Sequence, residues 1–308
     1  MAMPLDGYIR RRAEAKATIL LLLSCGCLTG QAPLAVVSAA DYAGFPLTPD
    51  SIVSMFAANI TTGISGAVNP PPAPLPTTLG GVSATLTDSS GNEFSISLIA
   101  VTPNQVNAVL PDFDLTNYAP MTVTLTTSSG TQLNATVSLA WTSPSIFTAD
   151  ESGEGPPAAQ LVIAHADGSQ TFFNSIADCS ESGCVPVPIA LGAPTDEAVL
   201  ELFGTGIRGV RAVCPLGASC VTAMAFGTSP PCPANPSLPI LYYGPQGGDS
   251  PDAFYGLDQV NVELPNSLTG CGTMHLALAV APDPEFLQFN GFEAGQPQQS
   301  NIVTINIQ

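Results

Sequence analysis

Cations are nearly missing from this chain. One lysine and five arginines stand among 308 residues, against 24 acidic ones, for a net charge of −18. Arg10, Arg11, Arg12 and Lys16 lie at the start, and only Arg208 and Arg211 follow. Of the acids only Asp6 and Glu14 fall within the first 34 residues, so 22 acids face two arginines beyond them, a net of −20. Such a surface cannot neutralise a run of phosphates, which excludes nucleic acid as a partner. An anionic membrane would repel it unless a separate group tethers it. Tryptophan is single, Trp141, and aromatics total 6%, whereas a carbohydrate-binding surface exposes several rings. There are two histidines, no Cys-x-x-Cys and no Gly-x-Ser-x-Gly. Neither a zinc site nor a strand-to-helix nucleophile elbow is signalled. No segment past the N-terminal region keeps a helical period for a dozen residues.

What is there reads as β-structure. Apolar residues make up 45% of the chain, too many for disorder, and 28 glycines with 30 prolines suit a protein of many turns. The phrase Gln105-Val-Asn-Ala-Val-Leu-Pro111 returns as Gln259-Val-Asn-Val-Glu-Leu-Pro265. Upstream of each, Ser51-Ile-Val-Ser-Met-Phe56 lines up with Ala198-Val-Leu-Glu-Leu-Phe203. Ordered matches at spacings of 147 and 154 residues predict a duplicated β-unit. Alternating or β-branched runs at 34–39, 51–56, 82–86, 94–101, 105–110, 121–127 and 132–141 are separated by turn signals such as Asp88-Ser-Ser-Gly91 and Ser128-Ser-Gly130. Seven short strands at that spacing predict an immunoglobulin-like β-sandwich. The expected organisation is an export segment over 1–34, one sandwich domain over 35–148 and a second over 149–308, with Asp150–Pro157 as linker. The excess length of the second falls in Asp178–Pro188 and Cys214–Pro239, where individual function would be placed. Pro70–Pro76 reads as a stiff extended connector.

Arg10–Arg12 followed by Ala17–Ser24 has the charged and apolar regions of an export signal, too short to span a membrane comfortably. Leu22-Leu23-Ser24-Cys25 resembles the lipobox of bacterial lipoproteins, which would make Cys25 a lipid anchor. Cleavage near Gly30–Ala32 without a lipid is the alternative. The chain is expected outside the cytoplasm, at the outer membrane or cell surface, in the periplasm or in the medium, with no membrane contact beyond such an anchor. Six further cysteines, Cys179, Cys184, Cys214, Cys220, Cys232 and Cys271, form an even set in an exported chain and read as disulfides. Local spacing favours Cys179–Cys184 and Cys214–Cys220, leaving Cys232–Cys271 as a long closure.

Several marks then point to a family. Val36-Val-Ser-Ala-Ala-Asp-Tyr42, Leu47–Phe56, Leu75-Pro-Thr-Thr-Leu-Gly-Gly-Val82, Val101–Asn107, Ser143-Pro-Ser-Ile-Phe147, Leu202-Phe-Gly-Thr-Gly206, Leu257-Asp-Gln-Val-Asn261 and Ser300-Asn-Ile-Val-Thr304 occur in order. Over residues 35–308 they resemble a domain family abundant in exported acidobacterial proteins. The resemblance implies tandem immunoglobulin-like (IPT/TIG-like) modules and carries no activity, cofactor or catalytic residue. The cysteines and prolines after Gly204-Thr-Gly206 depart from the family's short loop there.

Candidate chemistry is thin. Asp112 with Asp114, and Asp150, Glu151 and Glu154, lack the ligand spacing of a calcium loop. His165 sits where a strand enters a turn, and His275 alternates with Met274 and Leu276 as a half-buried packing residue. Gln105, Asn107, Gln259 and Asn261 put amides on one strand face, suited to capping loop backbone, with an amide-lined sugar groove as the other reading. The expectation is a non-enzymatic envelope module, structural or adhesive, with no cofactor or metal. It would bind an unidentified surface protein or polysaccharide through loops. A carbohydrate-binding module is the alternative, favoured if Tyr242, Tyr243, Phe254 and Tyr255 share an exposed face. A hydrolase would need His165 or His275 in a cleft within reach of a serine and an aspartate.

Overall fold

In a computed structural model, residues 33–44, 46–66, 74–112, 119–212, 214, 220–227, 230, 232–248, 254–280 and 298–308 are described. The export segment with Cys25, residues 70–73 of the proline run, and Asp114 lie outside them. Alternation of apolar and polar residues produces the expected strands. In the first half these are β1 (Ala35–Ser38), β2 (Ile52–Phe56), β3 (Ser65–Gly66), β4 (Thr78–Leu79), β5 (Val82–Thr87), β6 (Glu93–Ser95), β7 (Ser97–Val101), β8 (Gln105–Val109), β9 (Met121–Thr126) and β10 (Gln132–Val137). There follow β11 (Ser145–Ile146), β12 (Ala159–Ala164), β13 (Gln170–Phe173), β14 (Ala177–Ser180), β15 (Gly183–Pro186), β16 (Pro188–Ile189) and β17 (Glu197–Thr205). The chain continues through β18 (Val221–Phe226), β19 (Ser237–Leu238), β20 (Ile240–Pro245), β21 (Asp258–Leu264), β22 (Gly272–Val280), β23 (Gln298–Gln299) and β24 (Val303–Ile307). Among the described residues the helical content is two short 3₁₀ turns, Arg208–Ala212 and Asn266–Leu268.

The fold is all-β and sandwich-like. One sheet runs β1-β2-β8-β7-β3 and faces a second, β10-β9-β5-β4 with β6 on β5. Between them lies a core of side chains such as Val53, Met55, Leu86, Leu98, Val106 and Leu125, all under 1% exposed. A third sheet, β13-β12-β17-β21-β20 with β11 on β17, faces a fourth, β16-β24-β22-β18-β19 with β23 on β22. Leu200, Val260, Met274, Leu278 and Ile305 fill the second core. Neighbouring strands are antiparallel except β16 and β24. The run expected as one strand over 94–101 is two. β6 pairs with β5 and β7 with β8, so the chain changes sheets at the fully buried Ile96. A side chain that enters the core from the connection lets one apolar run serve both sheets.

The repeat is visible in the register. Phe56 stands opposite Gln105, and Phe203 opposite Gln259; Ser54 stands opposite Asn107, and Glu201 opposite Asn261. Both copies therefore pair their two repeated phrases in one and the same alignment. The amides do not cap loop backbone as expected. Gln105 Nε2 donates to Asn107 Oδ1 at 2.8 Å and Gln259 Nε2 to Asn261 Oδ1 at 2.7 Å. Residues two apart on a strand share a face, so each glutamine meets its own asparagine before it meets a loop.

Residues 33–308 form one compact unit, and the two cores meet at a seam where Trp141 packs on both. Ile52 N donates to Thr205 Oγ1 at 2.8 Å, and that hydroxyl donates to Gly256 O at 2.8 Å. Ser145 Oγ donates to Asp41 Oδ1 at 3.1 Å. The segment read as a linker is tied down. Gly153 N donates to Thr148 Oγ1, and Gly153 O accepts from Asn301 Nδ2 at 3.0 Å. At the seam Gly256 has φ +71°, and a Cβ there would lie 2.8 Å from Ile52 Cγ1 and 3.1 Å from Val109 Cγ1. Gly256→Ala is accordingly expected to lower stability by about 1–3 kcal/mol, combining a left-handed backbone with overpacking. Urea unfolding measures it, and an unchanged midpoint would show that the seam yields freely.

Candidate functional site

The polar chemistry of the described residues concentrates where β17 ends. The strand turns at Thr205-Gly206 into the 3₁₀ turn that begins with Arg208. Gly206 (φ +76°) is required there, because a Cβ would sit 2.3 Å from the Ser143 carbonyl oxygen. The turn delivers Arg208 into the seam. Its Nε donates to Asp258 Oδ1, one terminal nitrogen to Asp50 Oδ2 and the other to Leu257 O. The second oxygen of Asp258 accepts from the backbone amides of Ile207 at 2.7 Å and Arg208 at 3.1 Å. Asp258 is wholly buried, while the Arg208 and Asp50 side chains keep 15% and 27% exposure. Burial works against the guanidinium's charge, but Asp258 and Asp50 outweigh it and hold the group above its ordinary pKa. Burial also raises Asp50, opposed by Arg208 and reinforced by Asp112. For Asp258 burial pushes the carboxyl up, and Arg208 and the two amides pull against that push.

Beside this cluster opens a groove of about 510 Å³. Leu75, Pro111 and Asp112 line it from the first half, and Pro245, Phe254 and Tyr255 from the second, with Asp50 and Arg208 between. Phe254 and Tyr255 stand 41% and 38% exposed. The four aromatics singled out in sequence do not share one face. β20 carries a bulge between Ile240 and Tyr242, beyond which the two tyrosines take opposite sides. Tyr242 donates its hydroxyl to Pro245 O at 2.6 Å, whereas Tyr243 packs against the second core with its hydroxyl towards Cys214 Sγ at 3.6 Å. Only Phe254 and Tyr255 reach the groove.

The cysteines pair as Cys179–Cys184, Cys214–Cys220 and Cys232–Cys271. The first clips the hairpin of β14 and β15, whose strands pair directly at these two residues. Cys220 is buried in the second core, and the last bond ties the approach to β19 to the turn before β22. Three disulfides suit an oxidising compartment. No helix among the described residues is long and apolar enough to cross a membrane.

His165 is more connected than a turn residue needs to be. Its Nδ1 lies 2.9 Å from Asp196 Oδ2 and its Nε2 2.9 Å from Thr171 Oγ1. The order carboxylate, imidazole, hydroxyl is that of an activated nucleophile, yet none of the three lines the groove, and Thr171 lies on the exposed edge strand β13. The arrangement instead joins two turns, since Asp196 also accepts from the Ala193 amide at 3.0 Å. His275 is exposed rather than half-buried, because Met274 and Leu276 take the inward positions of β22. It meets Thr304 at 3.3 Å and tilts over Phe226. Among the described residues no group of three or more His, Cys, Asp or Glu is placed to hold a metal; Asp150 accepts from Ser152. Sequence reasoning missed Arg208, Asp50 and Asp258. The available signal was two arginines, Arg208 and Arg211, inside a stretch from 202 to 248 without an acidic residue. Comparison with known protein families and with characterised proteins returns no match.

Two variants probe these groups. Arg208→Ala leaves Asp258 buried without its partner and is expected to cost about 3–5 kcal/mol in denaturant unfolding; a loss under about 1 kcal/mol would mean water replaces the guanidinium. The Ala193 amide and then His165 hold Asp196 below the ordinary carboxylate range. Its contribution is therefore present above about pH 4 and lost as pH falls through the lowered folded value. The stability gap between the parent and Asp196→Asn should shrink on acidification below about pH 4. A gap that widens there would reverse the assignment.

Proposed function

We propose that this chain is an exported, non-enzymatic module of the cell envelope or extracellular space, built from two tandem immunoglobulin-like domains and acting in adhesion or surface architecture. The exported acidobacterial family it resembles supports the same reading, and Cys25 is its candidate lipid anchor. The observation that carries the reading is the placement of exposed apolar surface. Among the described residues, the large hydrophobic side chains that stand exposed are Ile64 in the first half and Phe172, Phe173, Val185, Val187, Leu241, Phe254 and Tyr255 in the second. Seven of these eight belong to the half that carries the disulfides, on a strongly acidic molecule. Exposed apolar residues on a stapled scaffold are available to a partner. The strongest polar contacts, meanwhile, are spent on joining strands and turns.

A carbohydrate-binding module is the second reading. Its support is reduced to Phe254 and Tyr255, since Tyr242 and Tyr243 point to opposite sides of β20. A hydrolase centred on His165 has its hydrogen bonds but lies outside the groove beside Arg208. Removal of the chain from its host is expected to leave growth unchanged and to lower cell attachment to surfaces or to other cells. Restoring the chain recovers attachment, and restoring it with Phe172 and Val185 both changed to Ser recovers less than half. Attachment that is normal in the deletion strain would overturn the reading.

A further inference from the structure

The groove beside Arg208 has a shape, two aromatic walls and a charge, and together they select a ligand. Its volume of about 510 Å³ falls within the range of about 300–1,000 Å³ typical of small-ligand sites. Around it stand three carboxylates, Asp50, Asp112 and, behind Arg208, Asp258, against one guanidinium. Arg208 is spent on Asp50, Asp258 and Leu257 O. Asp112 has no hydrogen bond or ion pair among the described residues, and its charge reaches Asp50 as repulsion. The remaining cation of the body, Arg211, packs against Gly244 and does not line the groove. Positive charge is therefore in deficit at a partly desolvated place, on a body of net −20 that draws cations from a distance. Phe254 and Tyr255 supply aromatic rings, whose faces hold ammonium and guanidinium groups. The apolar stem of a long basic side chain would lie along Leu75, Pro111 and Pro245, as such stems do on apolar surface.

We infer that this groove receives a lysine or arginine side chain presented by a partner protein. The inference rests on the reading of the chain as a partner-binding module and names the chemistry of one contact. A neutral sugar would use the same rings but leave the unpaired carboxylate charge uncompensated, and an anionic glycan would meet repulsion.

The test uses the full mature chain and a fluorescent, end-blocked Gly-Lys-Gly-Lys-Gly peptide, with its doubly acetylated form and a neutral Gly-Gln-Gly-Gln-Gly peptide as controls. Saturable binding is expected, weakened at least tenfold by Asp112→Asn and by Tyr255→Ala and strongly reduced at 0.5 M salt (a shorter screening length). Glu181→Gln, which removes another exposed charge from the β14–β15 hairpin, should change it less than twofold. Both groove substitutions are on exposed side chains, and matched thermal unfolding confirms that each variant is folded. Equal effects of Glu181→Gln and Asp112→Asn would mean diffuse attraction and overturn the site. So would binding of a neutral oligosaccharide that Tyr255→Ala abolishes while the basic peptide does not compete, or calcium binding lost in Asp112→Asn without any peptide binding. Absent peptide binding together with the lowered attachment expected of the deletion strain would sink the groove and leave the module reading standing.

Discussion

Everything in the middle of this molecule is arranged around one buried guanidinium. Arg208 leaves β17 at a turn that only glycine permits and enters the seam between the two cores. There it meets Asp50 from the loop before β2 and Asp258 from the first position of β21. Taking such charges out of water costs several kcal/mol per ion, and the cluster is tolerable only because each is given partners. Arg208 spends its fork on two carboxylates and a carbonyl, and Asp258 adds two backbone amides. A planar fork accepts three partners in one placement only. The contribution of the cluster is therefore orientation: it sets where the end of β17 stands against the start of β2, where apolar packing alone is permissive.

The neighbouring contacts obey that placement. Thr205 bridges Ile52 N and Gly256 O, and Gly256 packs where no side chain fits. These residues sit next to the duplicated phrases, β2 with β8 and β17 with β21, which pair in the same register. Duplication has thus placed equivalent strands on both sides of the seam, while the residues that cross it differ between copies. The groove follows from the same geometry. Its lining comes from both halves and includes Asp50 and Arg208 of the cluster.

Much of the architecture was legible in the residue order. Period-two alternation marks β2, β5, β8, β9, β21, β22 and β24, because a strand with one face on a core must place apolar residues at every second position. Cysteine spacing indicated the local disulfides, since residues five or six apart in sequence are held near each other by the chain itself before any tertiary structure forms. The break at Ile96 was not legible: the apolar run is continuous through it, and only the second sheet's position makes it a crossing. Nor was the tethering of Asp150–Pro157, whose Gly, Pro and acidic residues read as linker although Asn301, far along the chain, holds it in place.

The candidate site divides in the same way. Composition by itself determined that the body is acidic and that cations are scarce, since these are sums over residues and need no fold. Pattern determined the strands and the repeat, which depend on neighbours along the chain. The fold decided what position in sequence cannot encode. It put Arg208 together with Asp50, 158 residues before it, and Asp258, 50 residues after it, turned Tyr242 and Tyr243 to opposite sides, and brought Phe254 and Tyr255 to a groove with Asp112. Contacts of that kind are set by how two cores meet, and burial then decides whether a charge is a solvated ornament or a fixed partner.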